Sequence, residues 1–483
     1  MNLFRQLSTL VFAASISAVA SALTVSVTPG SLREEVGAEA STATALVVNG
    51  ALDASDFEFV RYDMPGLVSL DLSGASVASY SGPRLANGRT ASAENVLPEY
   101  AFTGSAISEI VLPQGITAIG EGAFAASAIK NITIPSSVVS LGVSAFADCA
   151  DLETITLPES VTSIGKGAFR NCPKIDYVVI NAQLSEIPSN AFSGCVSLKT
   201  VFFPTSLAVI GREAFSGSGI EQLALSKCGV LSEIGKWAFA NCDALRAVWM
   251  PSSAVNIREG AFFHNVSLTS DLENMVAGAD SIADYAFTDN AGMTVTDFDK
   301  ASVSYIGDYA VRGFSSVGEI SLPETLEHIG TQAMANWEAL DTIDVRKLGT
   351  TVPTLGEEVW KGVDRQKVQL KVTTPQADLY SDTPQWKEFS MFIADPTAID
   401  DVVADSEKGC VTGRISGDIL ALESSGAEIA GFQLYDMSGR MIAMPQTSPS
   451  HTVSAGIGYI DAPVLVVRVL LSDSSVQVLK LAR

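Results

Sequence analysis

Histidine is almost missing from this chain of 483 residues: only His264, His328 and His451 are present. They lie in unrelated contexts, and no HExxH pair, nucleophilic serine elbow or phosphate-binding loop accompanies them. Catalysis needs several chemical groups that converge on one place, and no linked set of that kind is visible. The sequence therefore predicts a protein that is not an enzyme and that holds no cofactor and no metal ion.

Basic residues are also few. The 30 Lys and Arg residues against 54 Asp and Glu residues give a formal net charge of −24. A protein that binds nucleic acid needs a basic surface, so the acidity of this chain excludes nucleic acid as a partner. Acidic residues crowd between Leu268 and Tyr305 without the regular Asp-x-Asp-x-Asp spacing of a calcium-binding loop. We interpret this segment as a solvated acidic face, and the overall acidity as favouring solubility or basic partners.

Long hydrophobic runs are absent after the first 22 residues. Arg5 is followed by an apolar and small-residue run, Leu7–Ala20, and by Ala20-Ser21-Ala22. The run is short for a membrane span and lacks a basic flank after it. Residues 1–22 are therefore predicted to be a secretory signal peptide cleaved after Ala22, which leaves no transmembrane segment. No cysteine follows the run, so lipoprotein processing is not expected.

The motif Ile-Gly-x-x-Ala-Phe recurs along the chain. Clear copies end at Phe124, Phe169, Phe215 and Phe239, and looser copies end at Phe102, Phe146, Phe192, Phe262, Phe287, Val311, Met334 and Trp360. Successive copies are 22 to 26 residues apart. A period of this length predicts a repeat solenoid with one supersecondary unit per repeat.

Each repeat continues into a short strand that ends at a proline, as in Leu152-Glu153-Thr154-Ile155-Thr156-Leu157-Pro158. Leu152, Ile155 and Leu157 are expected to face the core, and proline ends the strand because it cannot donate to a ladder. The segment Val161–Gly165 then turns a corner, and Lys166–Phe169 is expected to start a short helical turn. Stacked repeats would share one core and one parallel sheet.

The repeat resembles the BspA-like leucine-rich repeat family of bacterial surface proteins. The resemblance rests on the Ile-Gly-x-x-Ala-Phe motif, the Asn-Cys or Asp-Cys that follows it, and the Leu-x-x-Ile-x-Leu-Pro strand. It covers roughly residues 67–393. It implies a leucine-rich repeat solenoid with adhesion to host proteins, other bacteria or matrix.

Four of the six cysteines lie three residues after the repeat anchor: Cys149, Cys172, Cys195 and Cys242. The first three lie in adjacent repeats and should stack about one strand spacing apart, which does not forbid a disulfide in an oxidising compartment. Their spacing is unlike that of a zinc site. We expect small buried hydrophobic side chains that stay reduced.

Outside the repeats, residues 23–66 are predicted to form an N-terminal cap, with a strand and turn at Leu46–Gly50 and a helix from Asp53 to Tyr62 capped by Asp53 or Ser55. The polar stretch Gly74–Asn95 is predicted to be a loop. Residues 361–393 are predicted to close the solenoid with aromatic residues, and Asp395-Pro396-Thr397 to be a linker.

Residues 398–483 change to short alternating strands separated by turns, which predicts a small all-β sandwich domain. This end is similar to the C-terminal sorting domain of the type IX secretion pathway of Bacteroidetes. The resemblance rests on Leu434–Arg440, Gly458-Tyr459-Ile460 and Gln477–Arg483, and Asp461-Ala462-Pro463 interrupts the family pattern. It implies type IX-like secretion machinery as a partner, with an accessory β-domain as the alternative.

Together these features predict an exported cell-surface protein that binds a protein or glycan on host or bacterial surfaces. A surface spacer without a specific ligand is the alternative. A hydrolase on a repeat scaffold is a third hypothesis, for which the sequence offers no candidate catalytic residue.

The third and fifth positions of each strand should face solvent. Most are small or polar, but Tyr177 and Val179, Phe202 and Trp249 are not. We predict that these four form an aromatic patch that contributes to ligand binding, with stacking between neighbouring strands as the alternative.

Overall fold

The computed structural model describes residues 22–295, 297–298, 301–393, 411–416, 418–435, 441–443, 445, 448–457, 464–473 and 476–482. The predicted signal peptide, apart from Ala22, and the predicted linker lie outside these residues. Within the described ranges, no helix is long and apolar enough to cross a membrane. The chain divides into two compact units. The first is made of residues up to Val317 with His328–Ala339 and Thr354–Val363, and the second of Gly318–Glu327, Leu340–Pro353 and the residues from Asp364 onward.

Short strands make up most of the regular structure. In chain order they are β1 (Leu23–Val27), β2 (Ala45–Leu52), β3 (Ser69–Val77), β4 (Tyr80–Ser81), β5 (Ala91–Ser92), β6 (Val96–Leu97), β7 (Glu109–Val111), β8 (Ala118–Ile119), β9 (Ser140–Leu141), β10 (Thr154–Leu157), β11 (Ser163–Ile164), β12 (Tyr177–Ile180), β13 (Glu186–Ile187), β14 (Thr200–Phe202), β15 (Val209–Ile210), β16 (Gln222–Ala224), β17 (Glu233–Ile234), β18 (Ala247–Trp249), β19 (Asn256–Ile257), β20 (Ser281–Ile282), β21 (Tyr305–Ile306), β22 (Glu319–Ser321), β23 (His328–Ile329), β24 (Thr342–Asp344), β25 (Thr354–Leu355), β26 (Gln369–Val372), β27 (Ser390–Ile393), β28 (Val411–Ser416), β29 (Ile419–Ser424), β30 (Ile429–Tyr435), β31 (Met441–Ala443), β32 (Thr452–Gly456), β33 (Val464–Leu471) and β34 (Val476–Ala482). The α-helices are α1 (Leu32–Val36), α2 (Ala54–Asp63), α3 (Leu272–Met275) and α4 (Thr374–Asp382), and 3-10 helices cover Gly37–Ser41, Arg346–Leu348 and Trp386–Glu388.

The first strands of the chain form a parallel sheet in the order β1-β2-β3-β7. The predicted helix is α2, with Asp53 as its N-cap and Asp56 completing a capping box. The Asp56 carboxylate accepts hydrogen bonds from the backbone N–H groups of Gly30, Leu32 and Asp53 at 2.8–3.0 Å. Burial raises the pKa of Asp56 despite these donors, and the carboxylate fixes the loop before α1 to the start of α2.

Two local predictions in this region are wrong. The strand expected to end in a turn at Asn49-Gly50 continues as β2 to Leu52 through an irregular register against β3. The loop expected at Gly74–Asn95 contains the end of β3 and a hairpin of β4 and β5. Tyr80 and Leu85 in this segment are buried together with Ala54. These apolar contacts order a segment whose polar composition suggested a loop.

Most repeats contribute two short parallel strands, so the prediction of a single parallel sheet is wrong. One series holds the sheets β10-β12-β14 and β16-β18, and the other holds β6-β8-β9-β11, β13-β15-β17-β19 and β20-β21-β23-β25. The second series arises because the predicted corner is extended and bonds to its neighbours, as from the N–H of Gly142 to the carbonyl of Ile119 at 2.8 Å. In the repeat at Ile129–Pro135, which has the same pattern as Leu152–Pro158, the strand is reduced to one bridge between Glu109 and Asn131.

The segment after the glycine is a turn and not the predicted helical turn. In the repeat of Phe169, Gly167 has φ +62°, and the N–H of Ala168 bonds to the carbonyl of Gly165 at 3.2 Å. The N–H groups of Gly167 and Phe169 point forward to the carbonyls of Ser189 and Ala191 at 2.9 Å. A helix would need those N–H groups to bond backward along the chain, so bonding to the next repeat excludes it.

The predicted anchors form one buried column. From Phe124 to Phe287 consecutive rings stack with centroids 5.0–5.6 Å apart and planes within 11° of parallel. Val311, Met334 and Trp360 are also buried. The prediction of a repeating core is confirmed at every anchor.

The second unit contains the parallel sheet β22-β24-β26-β27 and helix α4. The Nε2 atom of Gln376 donates to the carbonyls of Val345 and Gly349 at 2.9 and 2.7 Å. Tyr380 and Trp386 are buried and meet edge to face at 5.2 Å. The aromatic residues predicted to close this region therefore lie in its core.

The remaining strands are antiparallel, in the orders β28-β29-β32 and β31-β30-β33-β34. Both sheets supply side chains to one apolar cluster that includes Leu420, Leu422, Leu434, Val467 and Val469. Seven short strands, β28 to β34, lie among the described residues of this segment, for which the sequence predicts short alternating strands. Residues 436–440 and 458–463, which carry much of the resemblance to a sorting domain, lie outside the described residues.

Candidate functional site

The sheet face is formed by β10, β12, β14, β16 and β18, whose side chains alternate between core and solvent. Ile155, Val178, Val201, Leu223 and Val248 point inward and are buried. The outward positions hold the four predicted site residues. Tyr177, Phe202 and Trp249 are 41%, 49% and 47% exposed, and Val179 is half-buried. The predicted orientation of these side chains is therefore confirmed, and their role in binding stays a prediction.

Strand register places three of these four residues in one column. Val179 pairs with Phe202, and Ala224 pairs with Trp249. A bond from the N–H of Glu221 to the carbonyl of Lys199 continues the same register and puts Ala224 beside Phe202. Tyr177 instead pairs with Thr154 and Thr200 in the neighbouring column. The predicted patch is thus one column with a diagonal neighbour.

The exposed rings do not stack on one another. Within the described part of the chain, no ring contact joins Tyr177, Phe202 and Trp249. Ala224 separates Phe202 from Trp249, so two strand spacings of about 4.8 Å each lie between them. The rings therefore border a shallow gap whose floor is the methyl group of Ala224. Mutual stacking between strands, the alternative role for these residues, receives no support from this geometry.

Charged residues of both signs border the strands on their N-terminal side. They form a ladder of backbone hydrogen bonds at 2.9–3.3 Å between consecutive repeats and comprise Lys130, Glu153, Asp176, Lys199, Glu221 and Arg246. Three are basic and three are acidic, so this border is balanced in a chain of net charge −24. This border therefore adds no net charge to the sheet face.

The metal-ligating side chains and the histidines are the other candidates for a site. No group of three or more metal-ligating side chains is close enough to hold an ion within the described ranges. His328 lies beside Tyr305, with stacked rings 4.9 Å apart, and its Nδ1 atom is 2.8 Å from the Oγ1 atom of Thr354. His264 contacts Phe263.

The four repeat cysteines are free and buried, as predicted. Their Sγ atoms donate to the carbonyls of Phe124, Phe146, Phe169 and Phe215 at 3.0–3.2 Å, for Cys149, Cys172, Cys195 and Cys242 respectively. Burial raises the pKa of Cys195 to about 12 and that of Cys242 to about 11. Such thiols are poor nucleophiles because the thiolate is the reactive form. Cys228 is also free, and Cys410 lies outside the described residues.

A cavity of about 300 Å³, which the sequence did not suggest, lies between β19 and β20. These strands are consecutive in the repeat order but do not pair. Within the described residues, the N–H groups of Ser281 and Ala283 have no partner across this gap. In the sequence, this cavity is marked by Ala283, which stands where most repeats have the glycine of the Ile-Gly motif.

Comparison with known proteins identifies the repeats. The pattern described as BspA type Leucine rich repeat region matches residues 95–221, 162–273 and 232–364, which together span more than half of the chain. No curated protein matches the chain.

Among solved structures, a leucine-rich repeat protein from Bacteroides ovatus is 20% identical with a TM-score of 0.51, covering 77% of this chain and 92% of its own. A leucine rich cell surface protein from Faecalibacterium prausnitzii is 21% identical with a TM-score of 0.40, covering 61% of this chain and 82% of its own. The first of these likenesses supports the fold.

Proposed function

Because the chain belongs to the BspA type leucine-rich repeat proteins, we propose that it is an exported cell-surface protein that binds its ligand on the sheet face. The observation that carries this proposal is the exposure of Phe202 and Trp249 on either side of Ala224. Exposed aromatic side chains are the residue type that most often anchors an interface. The balanced charges beside the strands favour a neutral ligand surface, so the ligand class is a glycan or an uncharged region of a protein on host or bacterial cells.

Capture by the full mature chain from arrays of glycans and matrix proteins tests this proposal. The variant Phe202→Ser with Trp249→Ser should weaken capture of the best-bound component at least tenfold, about 1.4 kcal/mol. The melting temperature should change little because both side chains are half exposed. Tyr62→Ser is the matched control, since Tyr62 is 54% exposed on α2.

The alternative is a spacer that binds nothing through this face. Unchanged capture by the double variant, together with a large fall in melting temperature, would assign these rings to packing and favour the spacer. In the second unit, the outward positions of β22, β24 and β26 are all polar: Glu319, Ser321, Thr342, Asp344, Gln369 and Lys371. The outward positions of these three strands supply an internal comparison without an aromatic side chain, and Phe392 of β27 continues their column beside Lys371.

We further propose that residues 398–483 serve as a type IX-like sorting domain. The support is the antiparallel arrangement of β28–β34 around one apolar cluster, together with the sequence resemblance. Deletion of Ala398–Arg483 should leave a cooperative melting transition and retain the protein in the periplasm. Undiminished surface labelling of cells that express the truncated chain would show that these residues are an accessory domain.

A further inference from the structure

Every repeat contains two residues in the left-handed backbone conformation, both in the turn that carries the anchor. The first lies two residues before the anchor position and comprises Tyr100, Gly122, Ser144, Gly167, Asn190, Glu213, Trp237, Gly260, Tyr285, Tyr309, Gln332 and Glu358. The second lies two residues after it and comprises Gly104, Ala126, Asp148, Asn171, Gly194, Gly217, Asn241, His264, Asp289, Gly313, Asn336 and Gly362. The two columns have the same backbone requirement and can be compared directly.

The second column obeys the usual preference of this conformation and the first does not. Ten of the twelve residues in the second column are Gly, Asn or Asp, the types that adopt positive φ most readily. In the first column four of twelve are aromatic, with φ of 58–60°. Bulky residues at positive φ are strained, and such strain concentrates at functional sites. The backbone therefore does not explain the aromatic choice in the first column.

Three of these aromatic residues, Trp237, Tyr285 and Tyr309, form a cluster that we term the turn platform. Tyr285 and Tyr309 stack with centroids 4.9 Å apart and planes 9° from parallel. The ring of Trp237 reaches Tyr285 at 6.2 Å across the intervening repeat. Gly260 makes this reach possible, because a β-carbon there would lie 2.3 Å from the indole.

Carboxylates surround the turn platform. Burial is the main cause that raises the pKa of Tyr285, followed by Tyr309 and by the charges of Asp308, Asp284 and Glu259. Glu259 is already paired with Lys236 at 2.6 Å. The Oδ1 atoms of Asp284 and Asp308 accept the N–H groups of Asp308 and Thr331 at 2.9 and 2.6 Å. Among the described residues, no hydrogen bond uses their Oδ2 atoms, so each acid keeps an oxygen available to a ligand.

The surface already contacts one cation of its own chain. The guanidinium carbon of Arg312 lies 5.9 Å from the centroid of the Tyr309 ring, within the range of a cation–π contact. Aromatic faces with nearby carboxylates are complementary to cationic groups.

We propose that the turn platform binds a cationic side chain, arginine or lysine, of a partner protein. The net charge of −24 supplies the long-range attraction for such a partner. This site lies in the turns and is distinct from the sheet face, whose bordering charges cancel. The two surfaces would therefore take different ligand chemistries.

The test measures binding of an eight-residue peptide that alternates arginine and glycine, at an ionic strength of about 0.15 M, where exposed charges are screened beyond about 8 Å. The same peptide with citrulline in place of arginine keeps the planar side chain without its charge. The variant Tyr285→Asn with Tyr309→Asn should bind the arginine peptide at least fivefold more weakly. It leaves the net charge unchanged, so simple attraction to an acidic protein does not change.

Tyr100→Asn is the matched control, because Tyr100 occupies the same backbone position in a repeat outside the turn platform. It should bind the arginine peptide as the parent does. Equal binding by the parent and the double variant, or equal binding of the arginine and citrulline peptides by the parent, would overturn the proposal. If the double variant fails to fold, Tyr309→Asn alone carries the comparison, since asparagine is already present at this backbone position as Asn190.

Discussion

Gly165 lies so close to Gly142 that a β-carbon on Gly165 would be 2.3 Å from the carbonyl carbon of Gly142. The same close approach relates Gly235 to Gly211 and Gly330 to Gly307. At these positions the preceding repeat leaves no room for a β-carbon, although the φ angle of each glycine is one that other residues adopt. At one junction, Arg258 and Ala283, neither repeat has this glycine, and there the ladder stops and the cavity opens.

Gly165→Ala should therefore destabilise the protein. The added methyl group meets backbone that cannot rotate away, and overpacking of this kind costs about 1–3 kcal/mol. Gly115→Ala is the control, because nothing lies within 4 Å of a β-carbon there and its φ is ordinary. Chemical denaturation of both variants measures the difference. Equal stability of the two variants would show that the repeats can separate at no cost.

The free energy of unfolding should fall less when an anchor side chain changes shape than when it loses volume. Phe169 is fully buried between Phe146 and Phe192 at 5.3 and 5.2 Å. Phe169→Ala should reduce the free energy of unfolding by about 3–5 kcal/mol through the cavity it leaves. Phe169→Met should reduce it by less than about 1.5 kcal/mol, because the chain itself places Met334 in this column. Denaturant titration distinguishes the two, and equal losses would contradict a packing role that depends on volume.

The repeat period, the buried anchors and the outward strand positions could be predicted from the sequence because each depends on residues that recur at fixed spacing. The second series of sheets could not, since a two-residue strand such as Ser163–Ile164 is too short to show alternation. The turn at Lys166–Phe169 was mistaken for a helix because the forward direction of its N–H groups depends on the next repeat. Register, which assigns Tyr177 to a different column from Phe202, likewise depends on pairing between strands.

The buried thiols should make the protein less stable at alkaline pH. Burial raises the pKa of Cys195 to about 12 and that of Cys242 to about 11, against about 8.5 for an exposed thiol. The folded state thus keeps protons that the unfolded state releases. This contribution is complete below pH of about 8.5 and is lost as the pH rises toward the folded values. Denaturation between pH 8 and pH 11, at about unit steps, measures the decline, and Cys242→Ala should make it shallower.

Thiol counting provides an independent check on the same cysteines. The native protein at a pH of about 8 should react slowly with a thiol reagent, because the thiolate is scarce and enclosed. After denaturation without reductant, all six cysteines of the sequence should react. A count of four or fewer would mean that a disulfide joins two of the cysteines, and the pH dependence would then have another origin.

The gap between β19 and β20 should be visible in hydrogen exchange. The N–H of Gly307 bonds to the carbonyl of Ile282 at 2.8 Å, and that of Gly235 to Ile210 at 2.7 Å. The equivalent N–H of Ala283 faces the cavity without a partner among the described residues. Exchange requires an exposed and unbonded amide, so Ala283 should exchange at least about 100-fold faster than Gly235 or Gly307 without any opening of the fold. Amide-resolved exchange measures this. If Ala283 is as protected as Gly307, β19 and β20 pair in solution. The presence of Arg258 and Ala283 in place of glycine would then not interrupt the hydrogen bonds between these strands.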